Sequence, residues 1–292
     1  MVIPNFFIVG TPKAGTTSLY YYLEEHPEVY MSSTKETNYF SYEEIKSQGL
    51  FYNEEHIITI EQYLSQFDGV TTEKAIGEAS VSYLFYPSVP EKIKAFNPAA
   101  KIIMILRNPV DRGFSHYLMD KRLGFVNTSY EEIVNTKGTN SKLGLYYQQY
   151  VSLGLYYEQV KRYLSVFGER QVKILYFEDV ANNLQHVIKD LYSFLEVKED
   201  YSFDTTKKHN TFENAKNPLI ARLYAQKNLR SMLKFVMNDK VQTRVKRLFF
   251  SKDDKPSLSP QLKQALINIY KDDIYKTSGL LQKDLSAWLS TR

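Results

Sequence analysis

Near its start the chain reads Gly10-Thr11-Pro12-Lys13-Ala14-Gly15-Thr16-Thr17. The two glycines have the spacing of a nucleotide-triphosphate loop, in which backbone N–H groups and a helix N-terminus point at phosphate oxygens. The usual version places lysine directly after the second glycine, where it reaches the outer phosphates beside magnesium. Here Thr16 takes that position and the lysine stands inside the loop, at Lys13. No second acidic motif stands ready to hold the ion. The loop therefore suits a shorter anionic tail that needs no metal to neutralise it. It is not a dinucleotide fingerprint, because its first two glycines are five residues apart. The plain alternative is a tight strand-to-helix turn with an incidental lysine.

The remaining chemistry is bounded by composition. The chain has 292 residues and no cysteine, which removes disulfides, thiolate zinc sites and cysteine nucleophiles together. Its five histidines, at 26, 56, 116, 186 and 209, lack paired metal-ligand spacing, so no metal centre is expected. No run of about 18 apolar residues suggests a membrane span; Met1 to Asn5 lacks a basic n-region and a cleavage site, and Phe6 to Gly10 reads as a core strand rather than a signal peptide. A cytoplasmic location is the expectation. The net charge of +4 is uneven: Thr205 to Lys252 holds 12 Lys/Arg against Glu213 and Asp239, net +10, leaving the rest at −6. That stretch reads as a solvated helix face, or as a wall that attracts an anionic ligand. Within it, Ser231 to Phe250 mixes cations with apolar residues and could rest on an anionic membrane, although a helix packed on the domain is the preferred reading.

These groups need a scaffold, and the apolar pattern supplies one. Phe6 to Gly10, Val29 to Met31, Ala75 to Glu78, Lys101 to Leu106 and Val172 to Phe177 read as strands. Between them lie helical patterns at Thr16 to Glu25, near Ile57 to Phe67, at Pro90 to Phe96, from Pro109 onward, at Leu155 to Phe167 and at Val180 to Leu195. A short helix from Tyr130 interrupts an otherwise loop-like Asn127 to Lys142. The expected fold is α/β: a P-loop-like parallel sheet flanked by helices, with a helical C-terminal region. The whole chain reads as one domain, with residues 41–75 as an insertion or lid and 205–292 as a basic helical part. Ligands on such sheets sit at the carboxyl ends of the strands, where Gly10, Glu78 and Arg107 all fall.

The stretch Phe7 to Leu19 resembles the 5′-phosphosulfate loop of the sulfotransferase family. Lys101-Ile102-Ile103-Met104-Ile105-Leu106-Arg107-Asn108-Pro109-Val110-Asp111-Arg112-Gly113-Phe114-Ser115-His116-Tyr117 resembles that family's second block. Further likeness runs through Lys35-Glu36-Thr37-Asn38-Tyr39-Phe40, Gly77-Glu78-Ala79-Ser80-Val81-Ser82-Tyr83, Gly154-Leu155-Tyr156 and Leu258 to Trp288. Bacterial members and the heparan-type N- and 3-O-sulfotransferases are the most similar. Many relatives carry a lysine after the glutamate of the third block; Ala79 stands there instead. After residue 205 the match is weak, at His209-Asn210-Thr211 and Lys216-Asn217-Pro218.

The resemblance implies a sulfotransferase using 3′-phosphoadenosine 5′-phosphosulfate without metal, leaving 3′,5′-adenosine diphosphate. Lys13, Ala14, Gly15, Thr16, Thr17 and Ser18 would hold the phosphosulfate. Arg107 and Ser115 would hold the 3′-phosphate, and Lys216 would add a contact from the lid. Lys13, Glu36 and Glu78 would be catalytic, with Glu36 as the base that takes the acceptor's proton. Lys35, Tyr39, Tyr83 and Tyr156 would meet the acceptor, a hydroxyl or amine on a carbohydrate, a lipid-linked molecule or a small molecule. Nucleic acid is not an expected partner. The plain alternatives are that Glu36 only pairs with Lys35, that Glu78 faces solvent, that His116 packs on its helix, and that the aromatic residues are core filler. Whole-chain alternatives are a small-molecule kinase with a modified loop and a non-catalytic nucleotide- or glycan-binding relative.

Overall fold

Five short apolar runs become strands: β1 (Phe6–Gly10), β2 (Val29–Met31), β3 (Ala75–Ala79), β4 (Lys101–Leu106) and β5 (Val172–Tyr176). In the computed structural model, which describes residues 2–52, 57–136, 138, 140–201, 214–215, 250–251 and 256–290, they form one parallel sheet in the order β2-β3-β1-β4-β5. A parallel sheet is covered on both faces, and β1 is buried at every residue. The strand period of two divides its side chains between two cores. Phe7 and Val9 join Ile102, Met104 and Leu106 on one face. Phe6 and Ile8 join Ile103 and Ile105 on the other.

The second face is covered by α1 (Thr16–Glu24) and α10 (Leu184–Leu195), through Leu19, Leu23, Ile188 and Leu191. The first is covered by α4 (Val89–Phe96), α5 (Pro109–Arg122), α7 (Leu143–Tyr150), α8 (Tyr156–Phe167) and α11 (Pro260–Leu281). Strand order reverses between β1 and β4, and a crevice at such a switch point is where α/β sheets take ligands. The chain leaves β1 at Gly10 and β4 at Leu106, so the phosphate loop and Arg107 emerge side by side.

Several elements depart from the expected pattern. The segment 41–75 contains α2 (Tyr42–Gln48) and α3 (Ile60–Leu64), the latter started by a capping box between Thr59 and Gln62. Tyr63 and Phe67 are fully enclosed in the first core, which ties this part of the segment to the sheet. The short helix α6 (Tyr130–Val134) starts at a Ser129/Glu132 capping box, as the sequence suggests. The helix expected at 180–195 is two, α9 (Phe177–Asn182) and α10, parted by Asn183 with a non-helical φ of −134°. In the C-terminal part α11 is helical, while Asn214–Ala215 and Phe250–Ser251 pair as short antiparallel strands. The rest of the basic stretch, Lys216 included, lies outside the described residues. Among the described residues no helix is long and apolar enough to cross a membrane.

Candidate active site

At the end of β1 the chain is squeezed. A Cβ on Gly10 would meet the Leu84 Cβ at 2.8 Å, because Leu84 donates its N–H to Val9 O at 2.8 Å and folds over the strand end. Thr11 N–H donates to Ile105 O at 3.0 Å, which ties the loop's first residue to β4. Lys13 and Gly15 both take left-handed backbone, with φ of 69° and 89°. Glycine adopts this freely, whereas lysine does so at a cost. Gly15 is the N-cap of α1 and offers no side-chain cap, and the first turn carries no acid. The amides at the start of α1 are therefore left for an anion. The Ala14 side chain is buried, so this residue can offer only its backbone; Thr17 and Ser18 are half-buried beside it.

Arg107 faces this loop. Its Nη1 donates to Lys13 O at 2.7 Å, and its guanidinium lies 4.3 Å from the centre of the Phe177 ring. Burial lowers its pKa, yet a guanidinium stays charged at any ordinary pH. Tyr156, with its side chain enclosed, donates its hydroxyl to Arg107 O at 2.8 Å. Asn108 caps α5 by accepting from Val110 N–H at 3.0 Å, which fixes the helix relative to Arg107. The Lys13 ammonium reaches α5 as well, 3.3 Å from Met119 Sδ. Ser115, half-buried, lies four residues before Met119, one turn along the same helix face. Loop and arginine thus meet, and Ser115 stands on the helix that the lysine reaches.

The carboxylates divide into two kinds. Glu36, with a left-handed φ of 64°, sits at the sheet's edge. Its N–H donates to Ala79 O at 2.8 Å, its Oε2 accepts from Val81 N–H at 2.8 Å, and its Oε1 pairs with Lys35. The Val81 carbonyl lies by Gly10, so Glu36 borders the loop, and its side chain keeps 27% of its surface exposed. Glu78 is fully buried. Its Oε1 accepts from Thr37 and, at 2.6 Å, from Ser80; its Oε2 accepts from Tyr63 at 2.8 Å. Burial raises its pKa, and these hydroxyls oppose the rise.

Three sequence-predicted residues are therefore placed differently from expectation. Glu78 is enclosed by hydroxyl donors and does not face solvent. Tyr83 is buried, its hydroxyl 3.2 Å from Thr37 Oγ1 and accepting from Phe40 N–H at 3.3 Å. Tyr156 is turned toward Arg107. Tyr39 is half-buried and stacks on Tyr63 at 4.4 Å, and Lys35 keeps part of its side chain exposed.

The sequence reading missed a polar cluster under Lys13. His116 is buried and contacts Gln149 O at 3.2 Å through Nδ1 and the Tyr52 hydroxyl at 3.0 Å through Nε2. Burial, with help from Arg112 and Lys13, holds its pKa well below the ordinary histidine value. Asp120, fully buried, accepts from Tyr52 and Tyr150. Arg112 is also fully buried, and its Nη2 donates to Gln149 O and Tyr150 O at the end of α7. The i,i+4 spacing of His116 and Asp120 was visible in the sequence. Their meeting with Tyr52, more than sixty residues earlier, was not.

Comparison with known proteins gives this geometry a setting. Residues 4–278 match the sulfotransferase domain family. The chain is similar to a crystal structure of a sulfotransferase from Alicyclobacillus acidocaldarius, with 31% identity, a TM-score of 0.74, and coverage of 99% of this chain and 100% of that one. It is 28% identical to human carbohydrate sulfotransferase 15 over 66% of this chain and 44% of that protein. It is also 28% identical to the mouse bifunctional heparan sulfate N-deacetylase/N-sulfotransferase 1, over 70% of this chain and 23% of that protein. The chain thus spans less than half the length of these curated relatives.

Proposed function

This chain belongs to the sulfotransferase domain family, and from that premise we propose that it moves a sulfuryl group from 3′-phosphoadenosine 5′-phosphosulfate to a hydroxyl or amine of a carbohydrate or glycoconjugate. The observation that carries the reading is the hydrogen bond from Arg107 Nη1 to Lys13 O. Two motifs separated by 94 residues meet at one crevice, one suited to the phosphosulfate and the other to the ribose phosphate. Uncapped amides, the Lys13 ammonium and the Arg107 guanidinium form a site for a bisphosphorylated nucleotide. Its similarity to carbohydrate and heparan sulfate sulfotransferases supports the acceptor class. Family membership displaces the kinase alternative.

When bound, the donor supplies an activated sulfuryl group. The acceptor's oxygen or nitrogen forms a bond to sulfur as the sulfur–oxygen bond to the 5′-phosphate breaks, and the acceptor's proton goes to Glu36. Such transfers depend mainly on positioning and electrostatics. Lys13 and the amides at Gly15, Thr16 and Thr17 meet the charge that grows on the leaving phosphate oxygen. Arg107 and Ser115 take the 3′-phosphate, which separates this donor from ATP. Glu36 is oriented by Val81 N–H and Lys35, and Lys35 lies where it can also face an acceptor. Tyr39 supplies a ring for a sugar. Glu78 acts one step back, since it grips Thr37, the residue after Glu36; Tyr156 holds the Arg107 backbone.

The test is transfer from a sulfate-labelled donor to a panel of polysaccharide, glycolipid and small-molecule acceptors, with Glu36→Gln as the control variant. A carbohydrate should take label, and loss of the base should slow transfer by about 10²–10⁴-fold with binding of 3′,5′-adenosine diphosphate retained. Label on no carbohydrate, or full activity in Glu36→Gln, counts against the reading.

A further inference from the structure

Between β3 and α4 the chain turns at residues 81–85, and this short stretch touches both halves of the site. On the donor side, Leu84 N–H donates to Val9 O at 2.8 Å and the Leu84 side chain folds over Gly10. On the side of the base, Val81 N–H donates to Glu36 Oε2 at 2.8 Å and Ser82 Oγ to Asn38 Oδ1 at 2.6 Å. The Tyr83 hydroxyl accepts from Phe40 N–H at 3.3 Å. A turn has no strand ladder to fix it, so its position depends on the partners that its other backbone groups find.

Two of those partners come from α8. Tyr163, fully buried, donates its hydroxyl to Tyr83 O at 2.9 Å, and Arg162 Nη2 donates to Phe85 O at 2.9 Å. The two carbonyls flank Leu84. Arg162 is half-buried, and its Nε is enclosed with no hydrogen-bond partner among the described residues. Turning a guanidinium inward is costly, and the carbonyl it reaches gives the reason for it here. Helix α8 is itself held in place. It has no side-chain cap of its own, and Asp273 of α11 accepts from Tyr156 N–H at 2.7 Å and from Tyr157 N–H at 3.1 Å. At that same end Tyr156 holds Arg107 O. One helix therefore grips the donor half at Tyr156 and, about two turns on, the turn beside the base at Arg162 and Tyr163.

We propose that Arg162 and Tyr163 are positioning residues of the transfer: by holding the 81–85 turn they set the Val81 amide against Glu36 and keep the base in register with the donor. The inference rests on the reading of Glu36 and of the donor given above. A base must lie within hydrogen-bond reach of the proton it takes, and a small misplacement of a reacting group slows transfer steeply. Loosening the turn should therefore slow the reaction and leave nucleotide binding, which Lys13 and Arg107 supply, as it was.

The experiment compares wild type, Tyr163→Phe, Arg162→Leu and Arg162→Lys in the full chain, each alone and combined with Glu36→Gln. Turnover is read with sulfate-labelled donor and the carbohydrate that takes most label from a panel that includes N-desulfated heparan, which offers both amines and hydroxyls. Calorimetry reads the Kd of 3′,5′-adenosine diphosphate. Tyr163→Phe and Arg162→Leu should each lower kcat about fivefold, the worth of one hydrogen bond, with the nucleotide Kd within about twofold of wild type. Arg162→Lys keeps a donor for Phe85 O and should recover most of the loss. Tyr163→Phe removes only a hydroxyl and carries the test if Arg162→Leu does not fold. On Glu36→Gln none of the three should slow the residual rate further, because they act through the base. An unchanged kcat in Tyr163→Phe, a loss that persists in full on Glu36→Gln, or weaker nucleotide binding with kcat unchanged overturns the role of these two residues alone. A wild type that labels no carbohydrate, or a Glu36→Gln protein at full activity, overturns the transfer reading, and this inference with it.

Discussion

Three buried side chains show how single residues divide the work. Glu78, Asp120 and Tyr156 are all enclosed; Glu78 holds Thr37, Asp120 holds Tyr52 and Tyr150, and Tyr156 holds the Arg107 backbone. Tyr156 is the simplest to test. Its hydroxyl donates to Arg107 O, and one such bond is worth about 1 kcal/mol. Tyr156→Phe should therefore weaken 3′,5′-adenosine diphosphate binding roughly fivefold, as read by calorimetry. A residue contacting the acceptor would change acceptor KM and leave nucleotide affinity alone. Asp120 makes a pH prediction for stability. Its pKa is about 6 in the fold against an ordinary 3.8, so between these values the folded state binds more protons than the unfolded chain. Stability then falls as pH rises from about 4 to 6 and is flat above, a loss of order 2–3 kcal/mol. Asp120→Asn should melt roughly 5 °C higher than wild type at pH 7.5, the gap closing below pH 5. A melting point that drops at neutral pH would mark the acid as a structural anchor instead.

At the scale of elements, the site depends on how closely α5 lies against the end of α7. A Cβ on Gly113 would sit 2.1 Å from Tyr150 O, and the neighbouring Arg112 donates to that same carbonyl. Both features fix the height of α5, and with it Ser115 and Met119. Gly113→Ala should cost about 1–3 kcal/mol through overpacking, measured by thermal unfolding, and should weaken nucleotide binding because α5 must shift. Unchanged melting would mean the helices separate more easily than their contact suggests. The same elements show what patterning can reveal. The strands were legible because a sheet buried on both faces needs unbroken apolar runs. Helix α2 was not, since none of its residues is buried and no apolar stripe exists to be read. Helix α7 hides its inner face in Tyr146, Gln149 and Tyr150, types that hydropathy scores as mixed.

For the molecule as a whole, the sheet order places β1 and β4 together, and the rest of the site follows from that adjacency. The loop and Arg107 were readable in advance because each motif is local and fold topology dictates their meeting. The enclosure of Glu78 and Tyr83 was not legible because it depends on Tyr63 and Thr37 folding in from the 37–67 region, a tertiary event with no local signal. The Asp120 cluster escaped for the same reason, its partners coming from three separate segments. The central claim is that Lys13 and Arg107 hold one bisphosphorylated adenosine without metal. The direct measurement is calorimetric titration with 3′,5′-adenosine diphosphate in the presence of a chelator, for wild type, Lys13→Ala and Arg107→Ala. Wild type should bind, each variant should lose at least about tenfold in affinity, and ATP with magnesium should not compete. A wild type indifferent to the nucleotide, or variants that bind as tightly as wild type, would contradict it.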